Sequence, residues 1–193
     1  MAIYCLLKLQ KILHKKLISS LKRMISMKFK TYSYRFGEQV LNSKLSLKHE
    51  IEDTLKNLSP EPKELSRPRF NEILDTEFVK IGWKPQPSVF SSEDDAYAKM
   101  DFLKERIGVE VEFGHSSFIG IDLLKFQVSS YSALDKIDVG VYMTTTKDFQ
   151  KKMKNEYNQN WEGSLTFEKV LRYLPHFKSA IQVPVYVIGI DDV

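Results

Sequence analysis

The chain has 193 residues, 42% hydrophobic and 28% charged, a composition that fits one domain with a buried core. The only cysteine, Cys5, excludes a disulfide framework or a cysteine-based zinc site within one chain, and a reducing, cytoplasmic setting is expected. The net charge of +4 is concentrated: residues 1–30 hold eight Lys/Arg and no acid, leaving 21 basic against 25 acidic residues downstream, so overall charge does not argue for nucleic-acid binding.

Residues 1–26 repeat leucine at helical spacing (Leu6, Leu9, Leu13, Leu17, Leu21) between lysines. They read as a basic amphipathic extension, for a membrane surface or for nucleic acid, as a targeting segment, or as a stretch ahead of a start at Met27. The catalytic domain is expected over 27–193. No run of 18 apolar residues is present, so no membrane span is expected.

Residues 28–36 read as a strand. The stretch 45–58 reads as an amphipathic helix with Ile51, Leu55 and Leu58 on one face. A Pro-rich loop follows, then a helix over 70–81 stopped by Gly82. "KPQPS" marks another loop. Residues 98–103 and 107–113 read as a hairpin. A helix is expected from 116 to 133, packed by Ile119, Leu123, Leu124 and Phe126. Strands at 136–143 and 183–190 are separated by helices near 146–157 and 164–173. The pattern is that of a mixed α/β sheet covered on both faces.

The hairpin carries an anomaly. From Ile107 to Phe113 the odd positions are apolar, whereas Glu110 and Glu112 share the other face, roughly 6–7 Å apart. If the chain folds back near Glu105–Arg106, Asp101 faces Glu110 with Cβ atoms about 4.5–5.5 Å apart. Opposed like charges destabilise a hairpin, so something must compensate. One candidate is a nearby base: Lys99, Lys104 or Arg106. Another is a divalent cation held by Asp101, Glu110 and the carbonyl of Val111, since Mg²⁺ takes one or two protein carboxylates and fills the rest with water and phosphate. Glu112, pointing to the same place, would then act as general base or hold a second ion. A solvated strand face is the plain alternative. His14, His49, His115 and His176 are dispersed, and no Gly-rich phosphate loop, serine elbow or cysteine nucleophile offers a rival.

"DFLKERIGVEVEFGHSSFIGIDLL", followed by "DKIDVGVYM" and "VPVYVIGI", resembles the BglII/BstYI group of type II restriction endonucleases, relatives of BamHI in the PD-(D/E)XK superfamily. The likeness spans about residues 45–190 and implies a restriction-endonuclease-like mixed sheet flanked by helices. It implies that Asp101 and Glu110 are metal ligands together with Val111. Glu112 stands where the superfamily usually has lysine and this group has glutamine, a position held by glutamate in the BamHI branch. His115, Ser116 and Ser117 fall where the family reads bases in the major groove. Lys104 and Arg106 are candidate phosphate contacts, with Lys125, Lys136, Arg67 and Arg69. Glu72 is a candidate extra acid, and Asp122 reads as an ordinary helix residue.

The expected function is therefore a Mg²⁺-dependent, homodimeric type II endonuclease cutting both strands of a short palindrome in double-stranded DNA, a GATC-centred one by the resemblance, with a cognate DNA methyltransferase. "FIGIDLLKF" is a candidate dimer surface. The alternatives are a structure-specific repair nuclease on the same fold and a non-catalytic DNA-binding protein.

Overall fold

The computed structural model describes residues 27–90, 98–131 and 135–192. The expected extension over 1–26 lies outside the described residues.

Among the described residues, six strands form one mixed sheet. In chain order they are β1 (Lys28–Tyr34), β2 (Lys84–Pro85), β3 (Phe102–Lys104), β4 (Ile107–Val111), β5 (Val139–Thr145) and β6 (Val185–Asp192). Their spatial order is β1-β6-β5-β4-β3-β2. The central three, β4, β5 and β6, run parallel, and β1, β3 and β2 attach antiparallel. Buried parallel strands need apolar residues on both faces, and "VGVYMTT" in β5 is buried throughout.

The helices are α1 (Gly37–Asn42), α2 (Leu45–Asn57), α3 (Arg67–Lys80), α4 (Ile119–Tyr131), α5 (Lys147–Tyr157) and α6 (Phe167–Tyr173). Two hydrophobic clusters separate them. One gathers α2, α3 and α5 with Phe102, Val109 and Phe113. The other gathers α4 and α6 with Met100, Ile137 and Tyr142. The sheet is thus covered on both faces, as expected.

Several boundaries differ from expectation. The α3 helix starts at Arg67, not 70. Ser66 caps it by accepting a hydrogen bond from Arg69 N at 3.3 Å, with a proline in the first turn. A Ser-x-Pro run read as loop was a helix start. "KPQPS" contributes the edge strand β2, because Lys84 and Pro85 pair with Leu103 and Phe102. Leu124 was expected in the core and is 50% exposed.

The hairpin turns where the sequence indicated. The hairpin ladder consists of the pairs Phe102↔Val109, Leu103↔Gly108 and Lys104↔Ile107, and Asp101 and Glu110 are the next residues beyond the first pair. Glu105 and Arg106 both take positive φ, 43° and 67°, the geometry of a two-residue primed turn. Side chains with a Cβ disfavour it, and local bonds offset the cost. Arg106 bonds Asp138 at 2.8 Å and Asp135 at 2.7 Å, and Lys44 bonds the Glu105 carbonyl.

One glycine brings the site together. A Cβ on Gly140 in β5 would lie 2.5 Å from the Phe126 ring. Its absence lets α4 settle on the sheet, which carries Lys125 over β4. On the other face, Phe70 stacks on Phe113 with ring centroids 4.9 Å apart, and Trp161 meets both edge-on. These rings fasten α3 behind the end of the acidic strand.

Candidate active site

Asp101 immediately precedes β3, and a hydrogen bond from Gln86 N to its carbonyl ties it to the chain beyond β2. Its Oδ2 accepts from Val111 N at 2.7 Å, and its Oδ1 from the Gln86 amide at 3.3 Å. Burial raises its pKa, against the pull of the Val111 N–H and the Lys125 charge. Asp101 and Val111 line a cavity of about 220 Å³ between the hairpin and α3, with Asn71, Leu74, Asp75, Gln86 and Phe102.

Glu110 lies at the middle of the sheet and is 3% exposed. A charged residue at such a position is costly unless partnered. Its Oε2 accepts from Lys125 Nζ at 3.0 Å, and its Oε1 is buried with no hydrogen-bond partner. Burial pushes its pKa up to about 9, with the Asp101 charge adding to the rise.

Glu112 is half-buried, and its carboxylate folds back to accept from Gly114 N. Burial pushes it up to about 7, opposed by that bond. That bond engages one oxygen of Glu112, and the charges of Asp101, Asp122 and Lys125 act on its carboxyl as they do on that of Glu110. Among the described residues, no three His, Cys, Asp or Glu side chains converge into a ready-made metal cage.

The compensating base comes from none of the expected places. It is Lys125, on α4, which bridges Glu110 and Asp122, the latter at 3.1 Å. Asp122 is not a surface residue. It is 5% exposed, and its other oxygen accepts from the Tyr142 hydroxyl at 3.0 Å. Burial and the surrounding acids hold the Tyr142 hydroxyl well above its ordinary pKa. Burial alone would lower Lys125, but the charges of Glu110 and Asp122 outweigh it.

The other cations are mostly committed elsewhere. Lys104 pairs with Glu50 at 2.7 Å, and Arg106 with Asp135 and Asp138 at the far end of the hairpin. Both cations, expected as phosphate contacts, are held in pairs within the chain. Lys136 donates to the Ser88 and Phe90 carbonyls, and Arg69 pairs with Glu72 at 3.0 Å. Glu72 is therefore turned away from the site; the same helix lines the cavity through Asn71 and Asp75, two residues that no sequence motif singles out. Arg67 donates to Ser164 Oγ at 3.2 Å.

His115 and Ser117 are exposed on the loop after the acids. The His115 ring accepts from Ser117 N at 3.3 Å, and Ser116 Oγ accepts from Lys169 Nζ at 2.5 Å. On α4, Ile121, Leu124 and Tyr131 are exposed in helical succession. Among the described residues, no helix is long and apolar enough to cross a membrane.

The donor set fits a hard divalent cation. Two carboxylates from paired strands are oxygen ligands of the kind Mg²⁺ takes, and two are enough where water and phosphate complete the shell. The orphaned Glu110 Oε1 is a buried acceptor that lacks a positive partner. Burial, and after it the Asp101 charge, disfavours the ionised form of Glu110, a cost that a bound cation would offset.

Comparisons with known proteins agree with this architecture. The family profile described as restriction endonuclease BglII/BglIII matches residues 29–190. A crystal structure of restriction endonuclease BglII complexed with a DNA 16-mer superposes with a TM-score of 0.63 at 22% identity, over 85% of this chain and 76% of that one. A crystal structure of free BglII gives 0.59 at 21% identity, over 85% and 79%. No curated protein sequence matches the chain.

Proposed function

Because the chain belongs to the BglII/BglIII restriction endonuclease family, and is a type II restriction endonuclease acting on DNA, we propose that it hydrolyses both strands of a short palindrome with Mg²⁺ held by Asp101, Glu110 and the Val111 carbonyl. The observation that carries the site assignment is a buried Glu110 whose Oε1 has no partner, with Asp101 flanking the same Phe102↔Val109 pair. When bound, the cation supplies charge stabilisation at the scissile phosphate. Asp101 is oriented for this by Val111 N, and it shares a cavity with the Val111 backbone.

Glu112 is the general base. A carboxylate with a pKa of about 7 takes a proton from water near neutral pH far better than an ordinary glutamate does. Gly114 N holds its orientation. His115, Ser116 and Ser117 read base edges, an assignment supported by their place directly after the acidic strand and by hydroxyl and imidazole groups suited to major-groove donors and acceptors. Double-stranded DNA is the ligand, a reading supported by the DNA 16-mer with which BglII is complexed. Lys104 and Arg106 are left out of the DNA contacts because both are ion-paired. A homodimer suits a palindromic site, and the exposed stripe Ile121, Leu124 and Tyr131 is the surface that would join two copies. A GATC-centred site and a partner methyltransferase follow from the family resemblance alone.

The test is cleavage of plasmid DNA followed by end sequencing. The expected result is discrete fragments with one end sequence in Mg²⁺. Glu110→Ala should lose several kcal/mol of transition-state stabilisation, about 10³-fold in rate. Intact plasmid in both Mg²⁺ and Mn²⁺ would refute the reading. Cutting only at junctions or nicks would point to a repair nuclease, and binding without cutting to a degenerate site.

A further inference from the structure

Lys125 stands 15 residues from Glu110 in sequence, yet its ammonium lies 3.0 Å from Glu110 Oε2 and 3.1 Å from Asp122 Oδ1. The two acid side chains are 4% and 7% exposed and that of the lysine 17%, so the group is shielded from water. Two carboxylates in such a place need a positive partner.

The two ties differ in kind. Asp122 is three residues from Lys125 on the same helix, and both its oxygens are occupied, one by Lys125 and one by Tyr142. That tie belongs to α4 alone. Glu110 is reached across the sheet, and only one of its oxygens is occupied. A cation that draws Glu110 away breaks one contact and leaves Lys125 still paired.

We propose that Lys125 is the resident counter-ion of the metal-free site: it holds Glu110 in place through α4, and a divalent cation must displace it to bind. This rests on the reading of Glu110 as a metal ligand. Lys125 is a positioning residue, acting through Glu110. An ammonium next to a divalent ion lowers that ion's affinity by more than about tenfold even with the screening of water.

The experiment is calorimetric titration of Ca²⁺ into the DNA-free full chain, comparing the unaltered protein with Lys125→Met, Lys125→Arg and Glu110→Ala. Lys125→Met should bind Ca²⁺ about tenfold or more tighter, whereas Lys125→Arg, which keeps the charge, should stay close to the unaltered protein. Equal or weaker binding by a folded Lys125→Met overturns the proposal, and so does an arginine variant that behaves like methionine. If Lys125→Met is unfolded without ions, its circular dichroism is followed against Ca²⁺. Recovery of the folded spectrum supports a cation taking the lysine's place, and failure to recover overturns it. Glu110→Ala separates the two levels. Loss of Ca²⁺ binding there with no gain in Lys125→Met removes only the counter-ion role. Unchanged binding in Glu110→Ala removes the metal-site reading and this inference with it.

Discussion

Replacing Glu112 by glutamine should change how stability depends on pH in a calculable way. The Glu112 carboxyl titrates at about 7 in the folded chain, against an ordinary value of 4.5, because burial disfavours its charged form. A folded-state pKa raised above the unfolded one means that folding favours the protonated acid. The stability so contributed is fully present below the unfolded pKa and is lost as pH rises through about 7. Between about pH 5.5 and about pH 8 this amounts to about 1.9 kcal/mol for an unscreened group. Glu112 is only half-buried, so solvent screening brings the expectation to about 1 kcal/mol. Glutamine keeps the shape and removes the titration. Glu110 and Asp101 titrate in both proteins, so the difference between the proteins isolates Glu112. Urea unfolding in a chelator, followed by fluorescence of the buried Trp83 and Trp161, reads it out. At about 1–3 kcal/mol per molar urea, the midpoint difference should move by about 0.3–1 M across that range. The native protein should lose stability relative to the variant as pH rises. A difference that stays flat, or that grows in favour of the native protein at high pH, would refute a buried, proton-holding Glu112.

Phe70→Ala removes a fully buried ring stacked on Phe113 and edge-on to Trp161. It should cost about 3–5 kcal/mol in urea unfolding, and a cost below about 1 kcal/mol would mean that α3 is not held by these rings. Ser66→Ala deletes the acceptor for Arg69 N at the start of the cavity-lining helix. It should cost about 1 kcal/mol, and an unchanged midpoint would contradict the cap.

The acidic hairpin was legible because its logic is local. Alternation along "IGVEVEF" separates Val109 and Val111 from Glu110 and Glu112, and a two-residue turn at Glu105–Arg106 sets Phe102 against Val109, the pair that Asp101 and Glu110 flank. The sheet class and the helix at Leu45–Asn57 followed from the same short-range periodicity. The start of α3 was missed because Pro68 reads as a loop residue until Ser66 is seen to cap it.

Residue order along the chain thus dictated which acids flank one hairpin pair, because strand period and turn length are properties of neighbouring residues. The partner of those acids came from packing. Lys125 reaches Glu110 only because Gly140 lets α4 rest on β5, and Asp122 is buried only because Tyr142 lies beneath it. Lys104 and Arg106, near the acids in sequence, are turned into pairs with Glu50 and Asp138. Charge pairing is decided by distance in space, and spacing along a chain does not encode how a helix docks on a sheet.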